Sequence, residues 1–167
     1  MSRDDGVDPR VRAALDRIGV PYEVVACDPH MADTAAFCAA YGYALADSAN
    51  TILVIGKSDP PVFAACVVLA TTRLDVNGVV RRRLGTRKAS FASADQTRDL
   101  TGMLIGGVTA FGLPDDLPLW VDAAVMERGR VVLGAGTRRA KVLVAPAALA
   151  EVAGVEVVDG LARPVEG

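Results

Sequence analysis

The sequence holds a single histidine, His30, so no chemistry that needs two imidazoles can be built from it. Its three cysteines, Cys27, Cys38 and Cys66, are odd in number and lack C-x-x-C spacing. Among apolar neighbours they read as buried, reduced thiols and not as disulfides or a zinc site. No apolar run approaches the roughly 20 residues that cross a bilayer. The opening MSRDDGVDP is acidic where a secretory leader would be basic and then apolar. A cytoplasmic protein with no membrane partner is the expectation. There is no G-x-S-x-G elbow, and Gly56-Lys57-Ser58 only imitates the end of a phosphate loop, because Thr51 stands where that motif needs glycine. The carboxylates fall mostly at helix starts and turns, where capping accounts for them. A net charge of −2 lacks the positive field of a non-specific nucleic-acid binder, so DNA is not expected as a partner.

What is present suits one ordinary globular domain: 167 residues, 51% hydrophobic and 23% charged. The domain is placed at residues 8–160, with flexible ends at 1–7 and 161–167. Asp8-Pro9 opens a helix over 9–18, where Val11, Ala14, Leu15 and Ile18 share a face and Gly19 stops the run. A strand is expected at 22–27 and a second helix from Asp33 to Gly42. The β-branched runs 51–55 and 62–70 predict two strands joined by a turn. Asp75 is read as capping a third helix closed by Gly85. A brief strand at 88–91 leads into a helix that the Ser93 and Gln96 capping box begins and Gly102 ends. Strands follow near 118–122, 130–134 and 140–144, then a helix from Pro146 and a strand near 155–158. Helices and strands mix without regular βαβ alternation, which predicts an α+β fold with a mixed, curved sheet and flanking helices.

Elimination leaves a glycine-rich segment, Gly102 to Gly112, together with hydroxyls and basic residues. Backbone N–H groups in such a loop can approach a ligand closely and hold developing negative charge. The lesser alternative is a loop packed for shape alone. The run Thr101-Gly102-Met103-Leu104-Ile105-Gly106-Gly107-Val108-Thr109-Ala110-Phe111-Gly112-Leu113-Pro114 resembles the central signature of the YbaK/prolyl-tRNA-synthetase-associated editing-domain family. Ile18 to Tyr22, Asn50 to Val54, Arg73-Leu74-Asp75, Lys88 to Phe91 and Gly134-Ala135-Gly136 through Lys141-Val142 follow in that family's order. The resemblance implies a cytoplasmic hydrolase that removes wrongly attached amino acids from tRNA by water attack, with no metal and no cofactor. Its partners would be mischarged aminoacyl-tRNA and, as a candidate, an aminoacyl-tRNA synthetase. Oligomeric state is left open.

On that resemblance Asn50, Gly106, Gly107 and Thr109 are the catalytic candidates, and Ala110, Phe111, Gly112, His30, Gly134 and Gly136 the substrate-binding ones. Two positions depart from the family pattern. Asn50 stands where editing enzymes carry a lysine, which replaces a charged donor by a neutral one. Lys57 cannot substitute, since seven residues of strand carry it about 23 Å away and an odd offset puts it on the opposite face. Ala110 stands where proline is usual, which frees φ. Two readings follow, a trans-acting deacylase and a domain that binds an aminoacyl-tRNA end without turnover. A protein-interaction module on the same scaffold is a third, and it would show an exposed apolar patch.

Basic residues cluster twice, as Arg73, Arg81, Arg82, Arg83, Arg87 and Lys88, and as Arg128, Arg130, Arg138, Arg139 and Lys141. Arg81, Arg82, Lys88, Arg138 and Arg139 are the candidates for tRNA phosphates at the cleft rim. Solvated faces are the alternative.

Overall fold

The computed structural model describes residues 5–165. Helix α1 (Pro9–Ile18) starts on Asp8, whose carboxylate accepts from the Arg10 N–H, and ends on Gly19 in the left-handed region. Strand β1 (Tyr22–Ala26) leads to α2 (Thr34–Tyr41), which Gly42 closes with φ 80. A long hairpin of β2 (Ala49–Gly56) and β3 (Val62–Leu69) comes next, followed by the short β4 (Thr72–Leu74). A π-helical turn at Val76–Val80 runs into α3 (Arg81–Leu84). After β5 (Ala89–Phe91), helix α4 (Ala94–Thr101) opens with both halves of the Ser93/Gln96 capping box formed. The remaining elements are β6 (Leu119–Asp122), α5 (Ala123–Met126), β7 (Val131–Gly134), β8 (Ala140–Val144), α6 (Ala147–Ala150), β9 (Val155–Val158) and β10 (Ala162–Pro164).

The main sheet has the order β5-β2-β3-β6-β9 and is mixed: its first two pairings are antiparallel and β3-β6-β9 run parallel. An antiparallel sheet, β1-β8-β7, stands beside it, and a bridge between Ser48 and Val132 joins the two. Helices flank these sheets, as expected of an α+β fold. Most of the core lies between α1 and the inner faces of the two sheets, where Val11, Leu15, Leu53, Val67, Phe111, Val121, Leu133 and Val142 are buried together. A second cluster behind the main sheet packs Val54, Cys66, Val68, Val80 and Trp120. Burial pushes the Cys66 thiol up to about 12, so it stays an inert core group.

The structure adds short elements that the sequence does not predict, α5 and β4 among them, and departs from the expected secondary structure elsewhere. The Asp75 helix begins as a π turn, because the Asp75 carboxylate accepts from both Gly78 and Val79 and so holds that turn wide. At the C-terminal end, expected to be structureless, Ala162–Pro164 pairs antiparallel with Thr72–Leu74, and Leu161 is fully buried. Asp5 to Val7 are likewise tied down: Asp5 pairs with Arg12, the Gly6 carbonyl accepts from Thr137, and Val7 packs on the core. Residues 1–4 and 166–167 of the expected flexible ends lie outside the described residues.

The capping box gives a stability prediction. Replacing Ser93 by alanine removes the acceptor of the Gln96 N–H at 3.0 Å and should cost about 1 kcal/mol, read as a lower midpoint in denaturant with unchanged slope. A midpoint equal to the parent's would show that α4 is held by packing alone.

Candidate functional site

A cavity of about 370 Å³ opens between the two sheets. Its floor is β2 from Ala49 to Leu53 with Val132 to Gly134 of β7; its walls are the start of α2 at Asp33, Thr34 and Phe37, the Ile105-Gly106 turn with Val108, and Phe91 with Ala92 after β5. Most of these groups are apolar, with Asp33, Thr34, Asn50 and Lys141 among the polar ones. The Thr34 hydroxyl donates to the Asn50 side-chain oxygen Oδ1, which leaves the Asn50 side-chain N–H groups for the cavity.

Lys141 enters from β8. Its sequence neighbourhood groups it with a solvated or phosphate-binding cluster, and the structure corrects this: the residue is 6% exposed and lines the cavity. Its Nζ donates to the Ala32 carbonyl at 2.6 Å and the Gly106 carbonyl at 2.7 Å, and stands 5.8 Å from the Phe37 ring centre. Burial is the main cause that lowers its pKa from 10.5; the neighbouring Arg138 acts in the same direction, while Cys27, Asp33 and Cys38 oppose it. Sequence reasoning misses it because β-strand alternation cannot say which face of β8 meets a cavity. Its place in an otherwise apolar strand, between Ala140 and Val142, is the available signal.

Arg138 works beside it. Its guanidinium donates to the Ile105 carbonyl at 2.6 Å and the Pro29 carbonyl at 2.9 Å, and pairs with Asp33 at 3.3 Å. Asp33, expected to cap α2, does stand at its N-cap, yet its carboxylate makes no capping bond and turns to Arg138 instead. Two consecutive carbonyls of the glycine loop, Ile105 and Gly106, are thus fixed by two cations from the β7–β8 side.

The glycine segment divides. Gly106 and Val108 line the cavity together with Asn50, and their N–H groups donate to no protein acceptor among the described residues. Gly107 gives its N–H to the Leu104 carbonyl at 2.8 Å and does not line the cavity. Gly106 needs its hydrogen: φ is 94, and a Cβ would lie 2.0 Å from Arg138. Gly134 also lines the cavity, and a Cβ there would meet the Val108 carbonyl oxygen at 2.3 Å. Thr109 is fully buried with an unpartnered hydroxyl, outside the cavity lining.

Ala110, Phe111 and Gly112 face the other way. They border a second groove of about 550 Å³ against α1, with Arg10, Arg17, Pro114 and Glu151 on its sides. Volume favours this groove, but the buried cation and the open loop N–H groups favour the smaller cavity, and chemistry decides a site. His30 is exposed on a 3₁₀ turn, its N–H held by Asp28 at 2.9 Å, and borders neither cavity. Gly136 packs on Asp8 and Val11. Lys57 is exposed beyond the end of β2. Arg82, Lys88 and Arg139 are exposed and Arg81 is half-buried; none of the four lines the cavity. Arg81 donates to the Asn77 carbonyl at 3.0 Å.

The site is thus a small cavity of an α+β chain that combines apolar walls, a buried ammonium and loop N–H groups without a protein acceptor among the described residues. The chain belongs to the aminoacyl-tRNA editing domain family, which matches residues 28–152. It is similar to the structure of a proposed trans-editing enzyme for prolyl tRNA synthetase, with TM-score 0.78 and 26% identity, covering 97% of this chain and 100% of that one. A hypothetical protein shares the fold at TM-score 0.81 and 24% identity over 92% of this chain and 99% of its own. A scaffold protein used for epitope grafting shares it at TM-score 0.77 and 24% identity over 96% and 100%.

Proposed function

We propose that the protein is a free-standing aminoacyl-tRNA deacylase of the cytoplasm, which hydrolyses the ester of mischarged tRNA in trans. The observation that carries this reading is the convergence of Asn50, Gly106 and Val108 on one cavity in a chain of the editing-domain family. The similarity to a proposed trans-editing enzyme, over nearly all of both chains, supports action in trans. An aminoacyl ester is already activated, so catalysis amounts to positioning it and supplying donors for charge on its carbonyl oxygen. The Gly106 and Val108 N–H groups are such donors, and the Asn50 amide orients the amino acid or the terminal ribose. The apolar walls of Phe37, Leu53 and Leu133 suit a small or medium side chain.

A second reading, binding without turnover, rests on the neutral side chain of Asn50. One experiment separates the two: purified protein is incubated with a panel of charged and mischarged tRNAs in single-turnover conditions. Faster loss of the amino acid than in buffer supports the deacylase. Tight binding with no released amino acid leaves the binding module, and neither effect removes both.

Exposed Arg82 and its neighbour Arg81 are proposed to meet tRNA phosphates outside the cavity. Replacing both by alanine should weaken tRNA binding, reduce the salt slope by roughly one unit for each phosphate no longer neutralised, and leave the rate of bound ester hydrolysis near the parent's. Unchanged affinity and slope would mean that this face is merely solvated.

A further inference from the structure

Lys141 is buried, and the opposing charge nearby does not outweigh the cost of that burial. Among the described residues no carboxylate forms an ion pair with it, and its partners are two backbone carbonyls and the face of Phe37. A buried ammonium hydrogen-bonded only to neutral groups is costly to keep, and an apolar side chain would fill the space more cheaply. An ammonium has three N–H donors, and two are taken. Lys141 is also the only cationic side chain lining the cavity among the described residues.

From this geometry we infer that Lys141 is the charged donor of the site: one of its N–H bonds fixes the loop at Gly106, a second ties it to Ala32 before α2, and the third holds the acyl oxygen of the bound ester. The inference rests on the deacylase reading and names the group that the neutral Asn50 cannot replace. In the reaction, water adds to the acyl carbon and the carbonyl π pair moves onto the oxygen held by Lys141. Collapse of that intermediate breaks the carbon–oxygen bond to the ribose, whose oxygen ends with the proton given up by water. Lys141 keeps its proton throughout. The clamp on the Gly106 carbonyl adds a positioning effect, because a planar trans peptide turns the Gly106–Gly107 unit as one body.

The test uses the amino acid that the deacylation panel selects, linked to adenosine at the 3′ carbon through a stable amide. NMR of protein carrying ¹³C-labelled lysine should place the Lys141 Cε titration below the ordinary lysine value of 10.5, in the field of Asp33, Arg138, Cys27 and Cys38. Adding the amide should shift that resonance and leave exposed Lys57 unmoved. In parallel, Lys141→Met should lower the single-turnover rate roughly 100-fold with a much smaller change in binding. Asn50→Lys in the Lys141→Met background, which returns an ammonium from β2, should recover at least about tenfold of that loss. Binding of the amide that shifts cavity resonances but not Lys141 overturns the inference and leaves the deacylase reading standing. A folded Lys141→Met protein with a rate within about threefold of the parent does the same. If Lys141→Met does not fold, the native-protein NMR decides alone. A panel with no substrate removes the inference together with the reading beneath it.

Discussion

Replacing Gly134 by alanine should cut the deacylation rate by about 100-fold while the protein stays folded. The residue is in β7 on the cavity floor, and its φ is not in the left-handed region, so the demand for glycine is purely spatial. A Cβ would lie 2.3 Å from the Val108 carbonyl oxygen and 2.9 Å from that of Gly107. Both are backbone atoms, so the loop itself must move. Moving it displaces the Val108 N–H and strains the bond from Gly136 N–H to the Gly107 carbonyl at 2.7 Å. Single-turnover hydrolysis at saturating protein, with a thermal melt as the folding control, measures the effect. A folded variant with a rate within about threefold of the parent would show that the position of this loop does not govern the chemistry.

Phe111→Ala should act on stability instead. The side chain is fully buried against the main core, in the half of the glycine segment that turns away from the cavity. Deleting it should cost about 3–5 kcal/mol, from the burial forgone and the void left behind. Equilibrium denaturation would show a large fall in midpoint, while the protein that remains folded should hydrolyse bound ester at nearly the parent rate. A substrate-binding residue would give the reverse pattern, with little stability loss and a large rise in the tRNA concentration required.

These two residues mark the limit of what a sequence shows. Local signals suffice where the deciding forces are local: Asp8-Pro9 and Gly19 bound α1, and Ser93 with Gln96 opens α4 as their capping chemistry requires. Asn50 and Gly106 line one cavity, and the collinear motifs single out both although they come from distant parts of the chain. Non-local facts stay hidden. Nothing in three-residue runs such as Thr72–Leu74 and Ala162–Pro164 announces that they pair, since each is half of a ladder. The glycine segment reads as one loop, yet a single chain passing between two cavities presents Gly106 and Val108 to one and 110–112 to the other. Lys141 is one more member of a basic cluster until β8 pairs between β1 and β7 and turns it inward. Asp33 marks a helix start, as its sequence context predicts, but its carboxylate answers to Arg138, which is distant in sequence.

The measurement that bears most directly on the account is a crystal structure of the protein bound to the stable amide of adenosine and the selected amino acid. The account predicts the acyl group in the cavity of about 370 Å³ between the sheets, its side chain against Phe37 and Leu133, and its carbonyl oxygen within hydrogen-bond reach of Lys141 and the Gly106–Val108 segment. The same compound seated in the groove between α1 and Pro114, with the cavity beside Asn50 empty, would contradict it.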